Sequence, residues 1–312
     1  MPNHSGFNMP ILLDEFDLEF SARASKSEWH CILEMRDTPG FVGAVLSYHA
    51  DLPVRSAGNT ILNKVVAESS RYEILAFTLY LYDTRDNSQP RSGLTATNLE
   101  KICTAQNSAS PGRVRAIISL MWAAGFLKRE QSIADSRIVH FEPTAKLMQI
   151  VEGWNHEIFR TIDRIFPADN LAQRHLSEPL FGRNMRKSGT EQVLTGWRPF
   201  GLFPEVYHFV EHDAGWMLLI HCIGAMMKTG GEKTIAPIAV DLAEFGKKFG
   251  VSRSHLRRIL ETAFDKGLLD APPRNGSHIM LNRKLVASYF MSMALELQFY
   301  RTHALNANPS QP

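Results

Sequence analysis

Apolar side chains recur at the three-to-four-residue spacing of helices along most of the chain, and polar stretches with glycine and proline separate these segments. In the first half, this pattern predicts helices over 61–82, 97–103 and 111–124, with a loop over 83–93. Gly125 follows the third helix at the position that a C-cap glycine takes. The pattern therefore indicates a chain built mainly of helices.

Two pairs of short apolar runs interrupt the helical pattern. Residues 126–129 and 137–141 flank a polar connection, and residues 268–271 and 278–282 flank Asn275-Gly276. Asn-Gly is a strong signal of a two-residue hairpin turn. Each pair of runs is predicted to form a β-hairpin.

The second half of the chain returns to the same order of elements. Helices are predicted over 204–228, 239–249 and 252–266, and a last helix over 284–302. In the first half, the helix after the hairpin is predicted to begin at Pro143. Both halves thus read as three helices, a hairpin and a further helix.

The segment 166–203 between the halves differs in composition. Prolines and glycines are spread through it, which predicts a linker with little regular structure beyond a helical turn at Leu171–Leu176. Its basic side chains could make phosphate contacts that do not depend on sequence, or the segment could simply be a soluble connector. These basic side chains are Arg174, Arg183, Arg186, Lys187 and Arg198.

An internal repeat underlies the shared order. The stretch from Arg115 to Leu127 aligns with the stretch from Arg257 to Leu269, and both contain a glycine followed by an apolar residue and leucine. Outside this core, the alignment pairs Leu99 with Leu242 after one extra residue in the first turn, and Ile138-Val139 with Ile279-Met280.

Both copies resemble winged helix-turn-helix domains, and the first is similar to MarR-type regulators. The more specific signal is Asp241-Leu242-Ala243 followed by Gly250-Val251-Ser252-Arg253-Ser254-His255-Leu256-Arg257-Arg258. The resemblance implies a mainly α fold with small β-wings, in which two tandem winged-helix domains pack through long flanking helices. It covers roughly residues 60–160 and 205–300.

The domain boundaries follow from these patterns. They are an N-terminal helical extension at 1–59, a first winged-helix domain at 60–165, a basic linker at 166–203, a second winged-helix domain at 204–303 and a flexible tail at 304–312.

Composition does not by itself indicate a nucleic-acid partner. The 312 residues contain 34 basic and 32 acidic side chains, a net charge of +2, and 44% apolar residues. Binding to double-stranded DNA must therefore depend on local patches of charge.

The second copy offers the stronger candidate patch. Leu256, Ile259 and Leu260 mark a buried stripe, which leaves short polar and basic side chains on the outer side at the start of the helix. The predicted DNA contacts are Ser252, Arg253, Ser254, His255, Arg257 and Arg258, with Asn275 in the wing.

The first copy is poorer in such residues. Ser110, Arg113 and Arg115 at the equivalent helix and Arg137 in the wing are candidate contacts, with Ser108 just before the helix. Its turn lacks the usual glycine, so an architectural role is the alternative to reading bases.

Other motifs suggest other roles. His208-Phe209-Val210-Glu211-His212 has the spacing of a zinc metalloprotease motif, but a polar patch or an incidental metal suits a scaffold helix better. Trp29, Trp122, Trp154, Trp197 and Trp216 could line a small-molecule effector pocket between domains or simply pack in the core.

We therefore predict a non-catalytic transcriptional regulator that needs no cofactor or metal. The alternative is a protein-interaction scaffold built from winged-helix domains. The flanking helices could also join two chains as a homodimer.

Three unpaired cysteines, Cys31, Cys103 and Cys222, an acidic N-terminus and the lack of a long apolar run predict a cytoplasmic protein without a membrane partner.

Overall fold

The computed structural model of the protein describes residues 9–56, 68–131, 137–229, 237–273 and 278–307. These ranges hold fifteen α-helices and two antiparallel sheets of two strands each, so the prediction of a mainly helical chain with small β-elements is confirmed. Asn275, a predicted DNA contact, lies outside the described residues.

The elements are numbered here in chain order. Before the first sheet come α1 (Met9–Asp14), α2 (Asp17–Arg23), α3 (Lys26–Arg36), α4 (Phe41–Ser56), α5 (Ser69–Asp83), α6 (Ala96–Ala105) and α7 (Pro111–Ala123). Next come β1 (Leu127–Gln131), β2 (Val139–Pro143), α8 (Ala145–Ile165), α9 (Leu171–Ser177), α10 (Phe181–Leu194), α11 (Pro204–Val210) and α12 (Gly215–Thr229). The remainder is β3 (Ile238–Ala239), α13 (Leu242–Phe249), α14 (Arg253–Asp265), β4 (His278–Ile279) and α15 (Arg283–Leu305).

The chain forms two compact units. The copy-1 unit comprises Ser69–Trp197 and Phe299–Pro312, and the copy-2 unit comprises Met1–Glu68 and Arg198–Gln298. Each unit is discontinuous in sequence. The N-terminal segment belongs with the second half of the chain in the copy-2 unit, and α15 begins in the copy-2 unit and ends in the copy-1 unit. The described residues of the predicted N-terminal extension form α1–α4 and belong to the copy-2 unit.

The repeated order of elements is present in both units. α7 and α14 are 13 residues long, and Ser110 and Ser252 cap them by accepting a backbone N–H three residues on. Gly125 and Gly267 follow these helices with φ of 72° and 70°, a left-handed conformation that favours glycine. The alignment of Arg115–Leu127 with Arg257–Leu269 is thus matched by equivalent structure.

The flanking alignments need correction. Thr95 and Asp241 are the N-caps of α6 and α13, so the partner of Leu99 is Phe245 rather than Leu242, and the first copy is four residues longer here. Downstream, the backbone N–H of Thr144 bonds to the carbonyl of Phe126, and the backbone N–H of Asn282 bonds to the carbonyl of Leu268. Thr144 and Asn282 are therefore equivalent, and this shifts the downstream alignment. The apolar pattern alone did not reveal these offsets, because leucine and phenylalanine fill such positions equally well.

The sheets also correspond. In the copy-1 unit, Leu127 of β1 lies opposite Pro143 of β2, and Leu94 adds a bond by accepting the N–H of Phe141. In the copy-2 unit, Ile238 of β3 pairs with Ile279 of β4, and a bridge joins Leu269 to Leu281. The predicted pairing of 268–271 with 278–282 is therefore present as a single bridge, and β4 also pairs with the strand before α13.

Segment 166–203 has more regular structure than predicted, although the helical turn predicted at Leu171–Leu176 is present as part of α9. α9 and α10 occupy much of it, with short 3-10 turns at Pro167–Asp169 and Pro199–Leu202. Glycine suits α10 because a Cβ at Gly189 would lie 3.0 Å from Cζ of Phe299. The low helix propensity of glycine hid a helix that close packing requires.

Two further expectations are corrected. The helix predicted over 204–228 is two helices, because Ala214 takes a φ of 59° and a Cβ at Gly215 would collide with the carbonyl of Phe209. In the predicted flexible tail, α15 continues to Leu305 and Ala307 is buried, while residues 308–312 lie outside the described chain.

The copy-2 unit is centred on the first part of α15. The hydroxyl of buried Tyr289 hydrogen-bonds the ring of His49, whose pKa burial lowers to about 3. Glu205 of α11 accepts two hydrogen bonds of 3.0 Å from Arg23 and lies 3.3 Å from Nζ of Lys284. These polar contacts join α2, α4, α11 and α15 around an apolar core.

Cys103 and Cys222 are buried, Cys31 is half-buried, and none forms a disulfide. None of the helices in the described ranges has the length and apolar character needed to cross a membrane.

A buried charge cluster joins four helices of the copy-1 unit. Arg186 of α10 donates to Asp83 of α5 at 2.9 Å and to Glu152 of α8, and His175 of α9 bonds the other oxygen of Glu152 at 2.6 Å. Burial alone would raise the pKa of Glu152, but the hydrogen bond from His175 and the charge of Arg186 lower it to about 2.

Three arginines of the segment 166–203 therefore bind other groups of the protein. Arg174 pairs with Glu178, Arg183 donates to the carbonyl of Asp83, and Arg186 holds the cluster. These three side chains form intramolecular contacts, which reduces their availability for phosphate contacts.

We expect Arg186→Met to lower the free energy of unfolding of the copy-1 unit by about 3–5 kcal/mol, because it leaves the buried carboxylate of Asp83 without its cation and leaves half-buried Glu152 with His175 alone. Arg160→Met is the matched control. It breaks an exposed pair with Glu157 and should cost less than about 1 kcal/mol. Urea unfolding measures both, and equal losses would contradict the role given to the cluster.

Candidate nucleic-acid interface

Helix α14 separates an apolar face from a polar one. Leu256, Ile259, Leu260 and Ala263 are fully buried. The N-cap Ser252 accepts the backbone N–H of His255 at 3.1 Å, which fixes where the helix starts. The opposite face of the first two turns is exposed, so its side chains can meet another molecule.

A tight turn fixes the direction of α14. Gly250 has a φ of 75°, and the N–H of Val251 bonds to the carbonyl of Gly246 at 3.0 Å. A Cβ on Gly246 would lie 2.5 Å from the carbonyl oxygen of Val251, so only glycine permits this approach. The predicted turn glycine is Gly250, but sequence reasoning missed the constraint at Gly246.

Hydrogen bonds from two histidine rings to backbone carbonyls fix the position of α14. Nε2 of His208 donates to the carbonyl of Ile259 at 3.1 Å, and Nε2 of His255 donates to the carbonyl of Asp213 at 3.0 Å. Burial lowers the pKa of His208, which favours the neutral ring. His255, a predicted DNA contact, thus has an anchoring role in the structure.

The remaining predicted residues of the second copy lie together on the exposed face. Arg253, Ser254, Arg257 and Arg258 are all exposed. Nε of Arg257 bonds Glu261 at 2.7 Å, and Nη2 of Arg258 lies 3.4 Å from Nδ1 of His255. This group of four residues, here the α14 face, carries three guanidinium groups, and the carboxylate of Glu261 lies beside that of Arg257.

The charged side chains on and next to α13 are of both signs. Asp241 caps α13 by accepting the backbone N–H groups of Glu244 and Ala243, and these bonds, followed by the charge of Arg253, lower the pKa of Asp241. Lys247 and Lys248 near the end of α13 are exposed. Sequence reasoning did not propose these lysines, although two adjacent lysines on the outer side of an amphipathic helix were a usable signal.

The predicted residues of the first copy are occupied differently. The side chain of Ser110 caps α7, and Arg115 forms two bonds of 2.6 Å and 3.0 Å to Glu100 of α6. Ser108 hydrogen-bonds Glu73, and Arg113 is half-buried. Arg137 is exposed at the start of the segment that leads into β2. The structure does not gather these side chains into one basic face.

Equivalent positions make the contrast direct. Arg253, Ser254, Arg257 and Arg258 on α14 correspond to Pro111, Gly112, Arg115 and Ala116 on α7. At these four positions α14 has three arginines and α7 has one, Arg115, which pairs with Glu100.

In the turn before α7 of the first copy, asparagine takes the place of the glycine found in the second copy. Asn107 has a φ of 53°, in the left-handed region that asparagine tolerates better than most residues. The turns of the two copies therefore differ in length and in the residue that takes the left-handed conformation.

One cluster in the copy-2 unit has donors suited to a metal. His208, Glu211 and His212 each place a donor atom within 4.8 Å of the others. However, Nδ1 of His208 accepts from Nζ of Lys266 at 3.2 Å, and Nδ1 of His212 donates to the carbonyl of His208. A metal would have to displace the lysine, so the contacts favour the predicted polar patch that supports α14.

Comparisons of the chain with known protein families, with characterised proteins and with solved structures give no match.

We expect Gly246→Ala to destabilise the copy-2 unit by about 1–3 kcal/mol, because the added methyl group forces the turn apart. Gly224→Ala is the control. It lies within α12 with open space around its Cβ, and alanine there should stabilise the helix by up to about 1 kcal/mol. Thermal unfolding of both variants checks this, and a neutral Gly246→Ala would refute the close approach.

Proposed function

We propose that this protein is a cytoplasmic, non-catalytic transcriptional regulator that binds double-stranded DNA through the α14 face. Its two units would be winged helix-turn-helix domains of the MarR-like kind. The observation that carries the proposal is the set of three arginines and a serine exposed at the start of a helix that a tight turn and two histidine anchors hold in place.

The chemistry of the α14 face suits the major groove. A recognition helix presents the side chains of its N-terminal turns to base edges, and an arginine can form two hydrogen bonds to guanine. Arg257 and Arg258 lie one turn beyond Arg253, so one of the three can read a base while the others neutralise phosphates. Lys247 and Lys248 are suited to further phosphate contacts.

Copy 1 has a different part in this proposal. Its α7 has proline and alanine where α14 has Arg253 and Arg258, and Arg115 is paired with Glu100. We assign copy 1 an architectural role, without base reading. A homodimer would then supply a second α14, and its operator would be an inverted repeat.

The experiment is selection of genomic DNA fragments by the full chain at two salt concentrations. We expect enriched fragments whose affinity falls steeply with salt, because arginines that bind phosphates release counterions. Arg257→Ala with Arg258→Ala should weaken binding to the enriched fragments by about tenfold or more. Fluorescence anisotropy with labelled duplexes measures both effects.

Arg115→Ala is the matched control, since it occupies the position in α7 that Arg257 occupies in α14. It should change the affinity less than about twofold. No enriched fragment, or binding indifferent to the α14 substitutions, would instead support a protein-interaction scaffold.

A second variant tests the charge balance of the α14 face. Glu261→Gln removes the carboxylate that holds Arg257 and would otherwise repel phosphates. We expect DNA binding to become tighter by about two- to tenfold at low salt, with a smaller gain at high salt because mobile ions screen exposed charges.

Glu157→Gln, which frees the exposed Arg160 of α8, should leave the affinity unchanged. Weaker binding by Glu261→Gln would show that Glu261 positions Arg257 for contact rather than competing with DNA for it.

A further inference from the structure

The copy-1 unit contains a cavity of about 130 Å³. It lies between α5, α8 and α10 and the end of α15. Much of its wall is apolar, with Leu75 from α5, Ile158 from α8 and Met185 from α10. Trp154, one of the tryptophans considered for an effector pocket, also lines it. The cavity is therefore within one unit.

Small residues keep this space open. Ala76 and Gly189 both line the cavity, and Gly189 also allows Phe299 to form part of the wall. An apolar cavity of roughly 150 Å³ is large enough to hold benzene. The space in this protein thus matches a molecule with one six-membered ring.

One polar side chain in the wall, that of Asn155, contains a buried hydrogen-bond donor. Asn155 is 6% exposed, and its side-chain nitrogen has no hydrogen-bond partner among the described residues. A buried donor without a partner costs roughly 1–3 kcal/mol. Asn155 lines the cavity, so an acceptor atom on a bound molecule could remove this cost.

The charged group at the wall is already engaged. Arg186 lines the cavity, but Asp83 and Glu152 both hold its guanidinium group. An anionic ligand would have to compete with these two carboxylates. The lining therefore favours a neutral molecule.

The wall also has a side near solvent. Tyr72 is 45% exposed, and its hydroxyl lies 2.8 Å from that of Tyr300, which is buried. Because Tyr72 lines the cavity and is partly exposed, the wall reaches solvent on this side.

We propose that the cavity binds a small neutral aromatic molecule with a carbonyl oxygen, and that this oxygen accepts a hydrogen bond from Nδ2 of Asn155. The site does not depend on the proposed DNA binding. It is tested without DNA, so its failure would leave the proposed function unaffected.

Acetophenone and ethylbenzene are a matched pair of probes, because they have nearly the same shape and only acetophenone carries an acceptor. We expect the unmodified chain to bind acetophenone about tenfold more tightly than ethylbenzene in ligand-observed NMR titrations. Benzoate should bind no more tightly than acetophenone, since Asp83 and Glu152 already hold Arg186, the cation among the described lining residues.

Asn155→Leu removes the donor with little change in volume. It should abolish the preference for acetophenone and leave ethylbenzene bound at least as well. Ala76→Leu fills the space and should weaken both ligands, and circular dichroism confirms that each variant is folded. Failure of the folded unmodified chain to bind either ligand, or a preference for acetophenone that survives Asn155→Leu, would overturn the proposal.

Discussion

The close approach of α13 to the turn that precedes α14 is the constraint on which the candidate interface depends. Gly246 lies so near the carbonyl of Val251 that no side chain fits between them. This contact sets the angle at which α14 leaves the turn, and the bonds from His208 and His255 to backbone carbonyls fix the helix from the other side. The apolar stripe supplies the stabilising burial, while these polar contacts determine which face stays exposed.

The two copies show how one scaffold can carry different surfaces. Both have a 13-residue helix, a serine N-cap and a left-handed glycine at the end. Their buried positions remain apolar, but the exposed positions have diverged, from Arg257 and Arg258 to Arg115 and Ala116. In the first copy, Glu100 neutralises the remaining arginine. Folding requires apolar residues on the inner face of both helices, whereas the outer face of α14 is available to bind another molecule.

Local signals were sufficient to predict much of the fold. The limits of α7 and α14 follow from Ser110, Ser252 and the glycines that end the helices, because capping and left-handed turns depend on neighbouring residues only. The mainly helical class follows from the spacing of apolar residues. The four exposed residues of the α14 face could likewise be identified from the spacing of the buried stripe.

Features that depend on contacts distant in sequence could not be predicted. α10 was missed because Gly182 and Gly189 lower helix propensity, and their value appears only when Glu152 and Phe299 pack against them. The pairing of Arg115 with Glu100 joins two helices, and the role of His255 depends on a carbonyl 42 residues away. Such pairings decide which basic residues are available to bind another molecule. The order of charges along the chain does not reveal these pairings.

The most direct test of the central claim is site-specific photocrosslinking to duplex DNA. A photoreactive phenylalanine derivative would replace Ser254 on α14 in one variant and Gly112, its equivalent on α7, in another. Both positions are exposed, so either side chain can reach a bound partner. If α14 is the recognition helix, the variant at 254 will crosslink to DNA and the variant at 112 will not. Equal crosslinking from both positions, or none from 254, would contradict the account.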